Sequence, residues 1–279
     1  MKKNNIVAIC YDYDKTLAPE ESVYSYGYFD KFGIKDERIF WDEITSNKIL
    51  SKMDNILASL YYGIYRAKKN GHPLKKQDFV EYGKNARYYK GVETWFDRIN
   101  AYAKSIGLEI EHYIISANVK EFIESTSIAK HFKKIYASSY IYDENNEPVW
   151  PERVVNYTSK TQYLYRIKKN ILNETDSRVN EKIDSKSFRI PFQNMIYVGD
   201  SVTDIPCMSI LAKEGGNAIG VYEDLPAKKE LMLKLFKQKR INNYCFADYS
   251  ENSEMEKTVF HILDKIKIKN ELENLQHNL

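Results

Sequence analysis

The chain has 279 residues, 43% of them hydrophobic, enough for one large folded unit or two smaller ones with a real core. Lys and Arg number 42 against 39 Asp and Glu, and a net charge of only +3 gives no electrostatic case for nucleic acid or an anionic membrane as the main partner. Cys10, Cys207 and Cys245 lie far apart with no Cys-x-x-Cys pair, which reads as reduced thiols in a cytoplasmic protein. No run nears the roughly 18 apolar residues of a membrane span, and the short apolar stretch after Met1-Lys2-Lys3 is interrupted too soon for a signal peptide.

The first predicted element is a strand, Ile6 to Tyr11, which runs straight into Asp12-Tyr13-Asp14-Lys15-Thr16. Side chains at i and i+2 share a side of an extended chain, so Asp12 and Asp14 reach one place. Residues from about 20 to 88 read as helices. Asp36 to Asn47 forms one, Met53, Ile56, Leu57, Leu60 and Ile64 trace the face of a second that ends near Gly71, and Gln77 to Tyr88 forms a third. A further helix runs from near Val92 to Gly107. The strand His112 to Ile115 then meets Ser116-Ala117-Asn118, where Asn118 and Glu121 have the spacing of a capping pair for a helix from Val119.

Lys134 to Tyr142 and Val149 to Val155 flank a turn-rich stretch and predict a hairpin, and Ser159-Lys160-Thr161-Gln162 has the pattern of another capping box. Asn173 to Ser187 is polar and reads as a surface excursion. A second acidic strand end follows, Met195 to Gly199 leading into Asp200-Ser201-Val202-Thr203-Asp204. Strands at Asn217 to Val221 and Tyr244 to Ala247 and a closing helix from Glu254 to Leu275 complete the pattern. Strands alternating with helices argue for an α/β fold with a mainly parallel sheet covered on both faces, and such sheets bind ligands at their strands' carboxyl ends. Four carboxylates brought together there would repel one another without a cation, and a hard divalent ion suits oxygen ligands.

Each piece alone has an ordinary explanation: Asp14 and Thr16 as turn caps, Ser116 as a turn serine, Lys160 as a solvated lysine, Asp204 as a helix cap. Taken together and in order, Asp-x-Asp-x-Thr, strand-end Ser, helix-start Lys and Gly-Asp-x-x-x-Asp resemble the haloacid dehalogenase superfamily over about residues 4 to 17 and 89 to 250. The resemblance implies a Rossmann-like three-layer α/β/α core over 1–17 and 89–279, with 18–88 as a helical cap domain like that of phosphoserine-phosphatase-like members.

It also implies roles. Asp12 would be the nucleophile that forms an aspartyl-phosphate and Asp14 the general acid and base. Asp12, Asp14 and Asp200 would hold Mg²⁺. Ser116, Ala117, Lys160 and Thr16 would bind the phosphoryl group, and Asp204 would support them. Dehalogenases lack an acid two positions after the nucleophile, so Asp14 points to phosphoryl transfer. The expectation is a cytoplasmic Mg²⁺-dependent phosphatase of a small phosphorylated metabolite, with no nucleic-acid or membrane partner; phosphotransfer to another alcohol, or a binding protein that has lost turnover, are the alternatives. Within the cap, Arg38, Arg66, Arg87 and Lys90 are candidate contacts for an anionic substrate tail and Tyr61, Tyr62 and Tyr65 for a pocket, although such residues more often form solvated helix faces and core. Lys228-Lys229 and the lysines from 234 to 240 read as solvated surface.

Overall fold

The computed structural model describes residues 5–19, 28–184 and 187–276. Seven strands form one sheet: β1 (Ile6–Tyr11), β2 (Glu109–Val119), β3 (Phe132–Tyr142), β4 (Pro148–Arg153), β5 (Met195–Gly199), β6 (Asn217–Tyr222) and β7 (Asn243–Phe246). Their order is β4-β3-β2-β1-β5-β6-β7, all parallel except the edge strand β4, which pairs antiparallel with β3 as the second arm of the hairpin. The chain winds outward from β1 to β3 on one side, then resumes at β5 and winds outward on the other. β1 and β5 therefore flank the switch point of the sheet, and Tyr11 lies in register beside Val198, so both acidic segments leave the sheet side by side.

Alternation along the strands divides the core into two layers. Val7, Ile9 and Tyr11 of β1 and Ile196 and Val198 of β5 face one side, where they pack against α5 (Val92–Ser105) and α10 (Glu254–Gln276). Ala8, Cys10, Met195 and Tyr197 face the other, covered by α7 (Tyr157–Lys169), α8 (Ile205–Lys213) and α9 (Pro226–Lys237). This is the three-layer α/β/α arrangement expected from the alternating pattern. One polar chain runs through it: Trp95 Nε1 donates to Tyr11 Oη at 3.0 Å, which lies 3.2 Å from His112 Nδ1, and His112 Nε2 lies 3.1 Å from Asn100 Oδ1. Burial pushes His112 down to about 3, so its ring is neutral and links these side chains without bringing charge into the core. The three cysteines are buried and form no disulfide. Among the described residues, no helix is long and apolar enough to cross a membrane.

Between β1 and α5 the chain leaves the sheet for α1 (Tyr28–Phe32), α2 (Glu37–Ser46), α3 (Asn55–Lys69) and α4 (Lys76–Lys84). Asp36 and Asp54 cap α2 and α3 by accepting from the amides of Arg38 and of Ile56 and Leu57. Aromatic rings fill the space between these helices, with Phe32 stacked on Phe40 at 5.5 Å and Tyr28 against Phe79 and Tyr82. The helices rest on the β3–β4 side of the sheet. Phe79 stacks on Tyr140 of β3 at 5.6 Å, and the Tyr140 hydroxyl donates to the Leu60 carbonyl at 3.1 Å.

Three local expectations are corrected. β2 runs on to Val119, which pairs with Ser138, and the following helix α6 (Lys120–Glu124) has no side-chain cap. Asn118 is not a cap because its Nδ2 donates to Asp14 Oδ1 at 3.0 Å and its Oδ1 accepts from the Val119 amide. α7 starts at Tyr157, so the capping pair is Asn156 with Ser159, whose Oγ accepts from the Asn156 amide at 2.8 Å, and Lys160 sits one residue further in. α4 stops at Lys84 rather than Tyr88. The polar stretch after α7 is also pinned down, since Arg166 donates to the carbonyls of Asn173 and Glu174.

Gly91, at the entry to α5, has φ +85°, and a Cβ there would come within 2.3 Å of the Ser250 amide nitrogen. Gly107 has a similar φ, +81°, with nothing within 4 Å. Gly107→Ala therefore carries only left-handed strain, about 1–2 kcal/mol. Gly91→Ala adds a backbone collision and is expected to lower the urea midpoint by clearly more than its partner variant; equal midpoints would remove the proposed close approach.

Candidate active site

The loop after β1 turns back on itself at once. The amides of Leu17 and Ala18 both donate to the Tyr13 carbonyl, Lys15 adopts φ 55°, and its amide donates to the Ala18 carbonyl at 2.7 Å. The Asp12 amide continues the β1–β5 ladder by donating to Val198, which holds Asp12 at the sheet's carboxyl edge, and the tight turn keeps Asp14 beside it. Asp12 Oδ1 accepts from the Tyr13 amide at 2.8 Å, and its Oδ2 lies 3.0 Å from Lys160 Nζ.

Lys160 is fully buried, and its ammonium also lies 2.8 Å from Asp204 Oδ1. Burial opposes its charge, but the two carboxylates outweigh that and push its pKa above the usual lysine value. Asp204 is saturated: Oδ1 accepts from Lys160 and from the Tyr197 hydroxyl at 2.7 Å, and Oδ2 from the amide and hydroxyl of Ser201 at 3.2 and 3.1 Å. Gly199 makes room for this arrangement, because a Cβ there would fall 2.6 Å from Asp204 Cγ. Asp200 is buried and accepts from Lys228 Nζ at 2.6 Å.

Asp12, Asp200 and Asp204 each place a carboxylate oxygen within 4.8 Å of the others. Burial is the main reason that Asp12 is pushed up to about 7, with Asp204 adding to it and Lys160 opposing; burial likewise raises Asp200 to about 6, opposed by Lys228. Two lysines thus do not fully offset the desolvation of the acids. The donor set is all oxygen and carries surplus negative charge, which fits a hard divalent cation. Because all four bonds to Asp204 come from the protein, the carboxylates open to such an ion are Asp12 and Asp200.

These acids open onto a cavity of about 240 Å³. Its floor is made by Asp12, Asp14, Lys15, Ala117, Asn118, Asp200 and Lys228, and its roof by Trp41, Asn55, Ile56, Ser59 and Leu60 of α2 and α3. Ser116 and Thr16 do not line it. Both are fully buried, Ser116 Oγ accepts the Asn118 amide at 3.2 Å, and Thr16 Oγ1 is without a partner. Lys160 lies behind Asp12 rather than on the cavity wall.

A chain profile of haloacid dehalogenase-like hydrolases matches residues 9–209, a span that holds both acidic strand ends and Lys160. The chain belongs to the haloacid dehalogenase-like hydrolases. A protein of Borreliella burgdorferi, itself described as uncharacterized, is 24% identical over 288 residues, covering 91% of this chain and 95% of its own. Among solved structures, a hydrolase of the same family from Salmonella enterica serovar Typhi superposes with a TM-score of 0.55 at 17% identity, over 86% of this chain and 66% of that one. A phosphoserine phosphatase caught as a phospho-aspartyl intermediate analogue gives 0.51 at 17% identity, over 86% and 93%. At these identities the likeness is one of fold.

Several residues of this hydrolase's site were not legible in its sequence. Lys228, read as solvated surface, lines the cavity and holds Asp200; the signal that singled out Lys160, a lysine in the first turn of a helix, applies equally to Lys228 in α9. Tyr197 and Ser201 sit inside motifs whose aspartates drew attention first. The candidate cap cations lie elsewhere: Arg38 pairs with Asp36, Arg66 with Glu43 and Lys90 with Asp248. Tyr61 and Tyr65 are exposed, and the Tyr62 hydroxyl donates to Glu43.

Gly199→Ala tests whether Asp204 positions Lys160. The added methyl displaces the Asp204 carboxylate, so catalytic turnover should fall at least tenfold while circular dichroism stays unchanged; full activity would show that Asp204 need not stand where it does.

Proposed function

We propose that this protein is a Mg²⁺-dependent phosphatase of a small phosphomonoester. The observation that carries the reading is a buried carboxylate, Asp12, backed by Lys160 and facing, beside Asp14, a cavity roofed by inserted helices. In the first step an Asp12 oxygen attacks phosphorus, the bond to the leaving alcohol breaks, and Asp14 gives that alcohol its proton. In the second, Asp14 takes a proton from water as the water oxygen attacks the aspartyl-phosphate, releasing phosphate and restoring Asp12. Asn118, donating to Asp14 Oδ1, holds that carboxyl toward the cavity in both steps.

Lys160 and its partner Asp204 keep Asp12 oriented, and Ala117 and Lys15 border the place a phosphoryl group would take. Ser116 supports the same strand end through its bond to the Asn118 amide, and Thr16 completes the turn. Asp12, Asp200 and the main-chain carbonyl of Asp14 would hold Mg²⁺, which supplies charge stabilisation to the transferring phosphoryl group. The insertion at 18–88 would act as a cap. It is tied to the catalytic core at Asn156, whose Nδ2 donates to Asp54 Oδ2 at 3.1 Å and Asn55 Oδ1 at 2.7 Å. Excluding bulk water there protects the first step, and a roof this close disfavours large protein substrates.

Hydrolysis of p-nitrophenyl phosphate with Mg²⁺ should be lost with chelator and fall by at least 10³-fold in Asp12→Asn, a variant that keeps the side chain's shape. Substantial turnover in Asp12→Asn would remove the nucleophile. A second measurement follows from the raised acids. Their folded pKa values, about 7 and 6, lie above the ordinary 3.8, so the metal-free fold loses stability as pH rises from about 4 to about 7. Below about pH 6 an ion must displace protons from both acids, so MgCl₂ should raise Tm at pH 8 and have little effect at pH 5. A Tm response to Mg²⁺ that does not grow with pH would place the ion elsewhere.

A further inference from the structure

We infer that the leaving group of the substrate is an uncharged, largely apolar alcohol, gripped by Trp41, Ile56 and Leu60; this rests on the phosphatase reading above. The roof of the cavity is the part a leaving group meets once the phosphoryl group is seated against Asp12. Trp41 presents an indole there, with its Nε1 already donating to Glu37 Oε1 at 3.2 Å, and Ile56 and Leu60 stand one turn apart on α3. The polar atoms of that wall are few and neutral. Ser59 Oγ donates to the Ile56 carbonyl and Asn55 Oδ1 accepts from Asn156, which leaves a hydroxyl oxygen and an amide NH₂ for one or two hydrogen bonds.

Cations are what an anionic leaving group would require, and the roof has none among its described residues. Lys15 and Lys228 belong to the floor, and Lys228 is held by Asp200 at 2.6 Å. Arg38, Arg66 and Lys90 are tied to carboxylates away from the cavity, Arg87 does not line it, and the segment 20–27 contains glutamates but no Lys or Arg. A carboxylate placed against Ile56 and Leu60 would lose water without gaining a partner. Size points the same way. An apolar cavity of about 150 Å³ admits benzene. About 240 Å³ is therefore room for a phosphoryl group and an apolar ring against the roof.

The test compares two aryl esters of nearly equal shape, 4-methylphenyl phosphate and 4-carboxyphenyl phosphate, on the full chain with Mg²⁺, with acetyl phosphate as a donor too small to reach the roof. The methyl compound should have a kcat/KM at least tenfold higher, and Ile56→Arg, whose fold is checked by circular dichroism, should narrow or reverse the ratio. Equal or inverted preference in the unsubstituted protein, with acetyl phosphate still hydrolysed, overturns the inference and leaves the phosphatase reading standing. Failure to hydrolyse all three removes that reading and the inference with it. If Ile56→Arg does not fold, the ratio in the unsubstituted protein decides alone.

Discussion

The site depends on one buried ammonium. Lys160 has no exposed surface and sits between Asp12 and Asp204, on three elements that the sequence separates widely: the end of β1, the first turns of α7 and the start of α8. Removing the lysine would leave two buried carboxylates facing each other without their cation, at a typical cost of about 3–5 kcal/mol. The lysine also fixes geometry. Held at 3.0 Å from one Asp12 oxygen while the Tyr13 amide holds the other, it leaves the carboxylate little freedom to turn. The nucleophile proposed for Asp12 would need that restriction, because misplacement by about 1 Å can cost about a hundredfold.

Much of this was readable in advance because the signals are local. An Ile- and Val-rich run ending in acid marks a strand of a parallel sheet reaching its ligand edge, and both such runs are where the residues placed them. What stayed hidden depends on contacts across the chain. Nothing near Asn118 says that its amide will travel to Asp14, 104 positions away, and the capping pattern with Glu121 offered a plausible local use instead. Ser116 and Thr16 are fully buried and stand off the cavity wall, a placement that residue type alone does not reveal.

The roof was the least legible part, for a physical reason. Helical periodicity distinguishes the buried face of α3 from the exposed one, but Ile56 and Leu60 belong to the same apolar stripe as the residues that pack against the sheet. What separates lining from core is where α3 is anchored over the cavity. The anchors lie beyond the helix: the Tyr140 hydroxyl on the Leu60 carbonyl at one point and Asn156 on the Asp54–Asn55 end at the other. Asn156 is also the residue before α7, so the helix that carries Lys160 and the helix that carries the roof share an anchor.

The charges around the cavity follow a consistent arrangement. α7, α8 and α9 all begin at this edge of the sheet, and their N-terminal ends carry partial positive charge. That end disfavours a lysine in the first turn, yet Lys160 and Lys228 are found there, each against a buried aspartate. Their placement makes sense as a response to the acids rather than to the helices. With Asp12, Asp200 and Asp204 converging, the helix ends and two ammonium groups together lower the cost of keeping carboxylates desolvated, and burial still leaves Asp12 and Asp200 short of full compensation. A fold that concentrates acids this far, then stops short of neutralising them, keeps in reserve an electrostatic pull suited to a divalent cation, the partner that the proposed phosphoryl transfer would use.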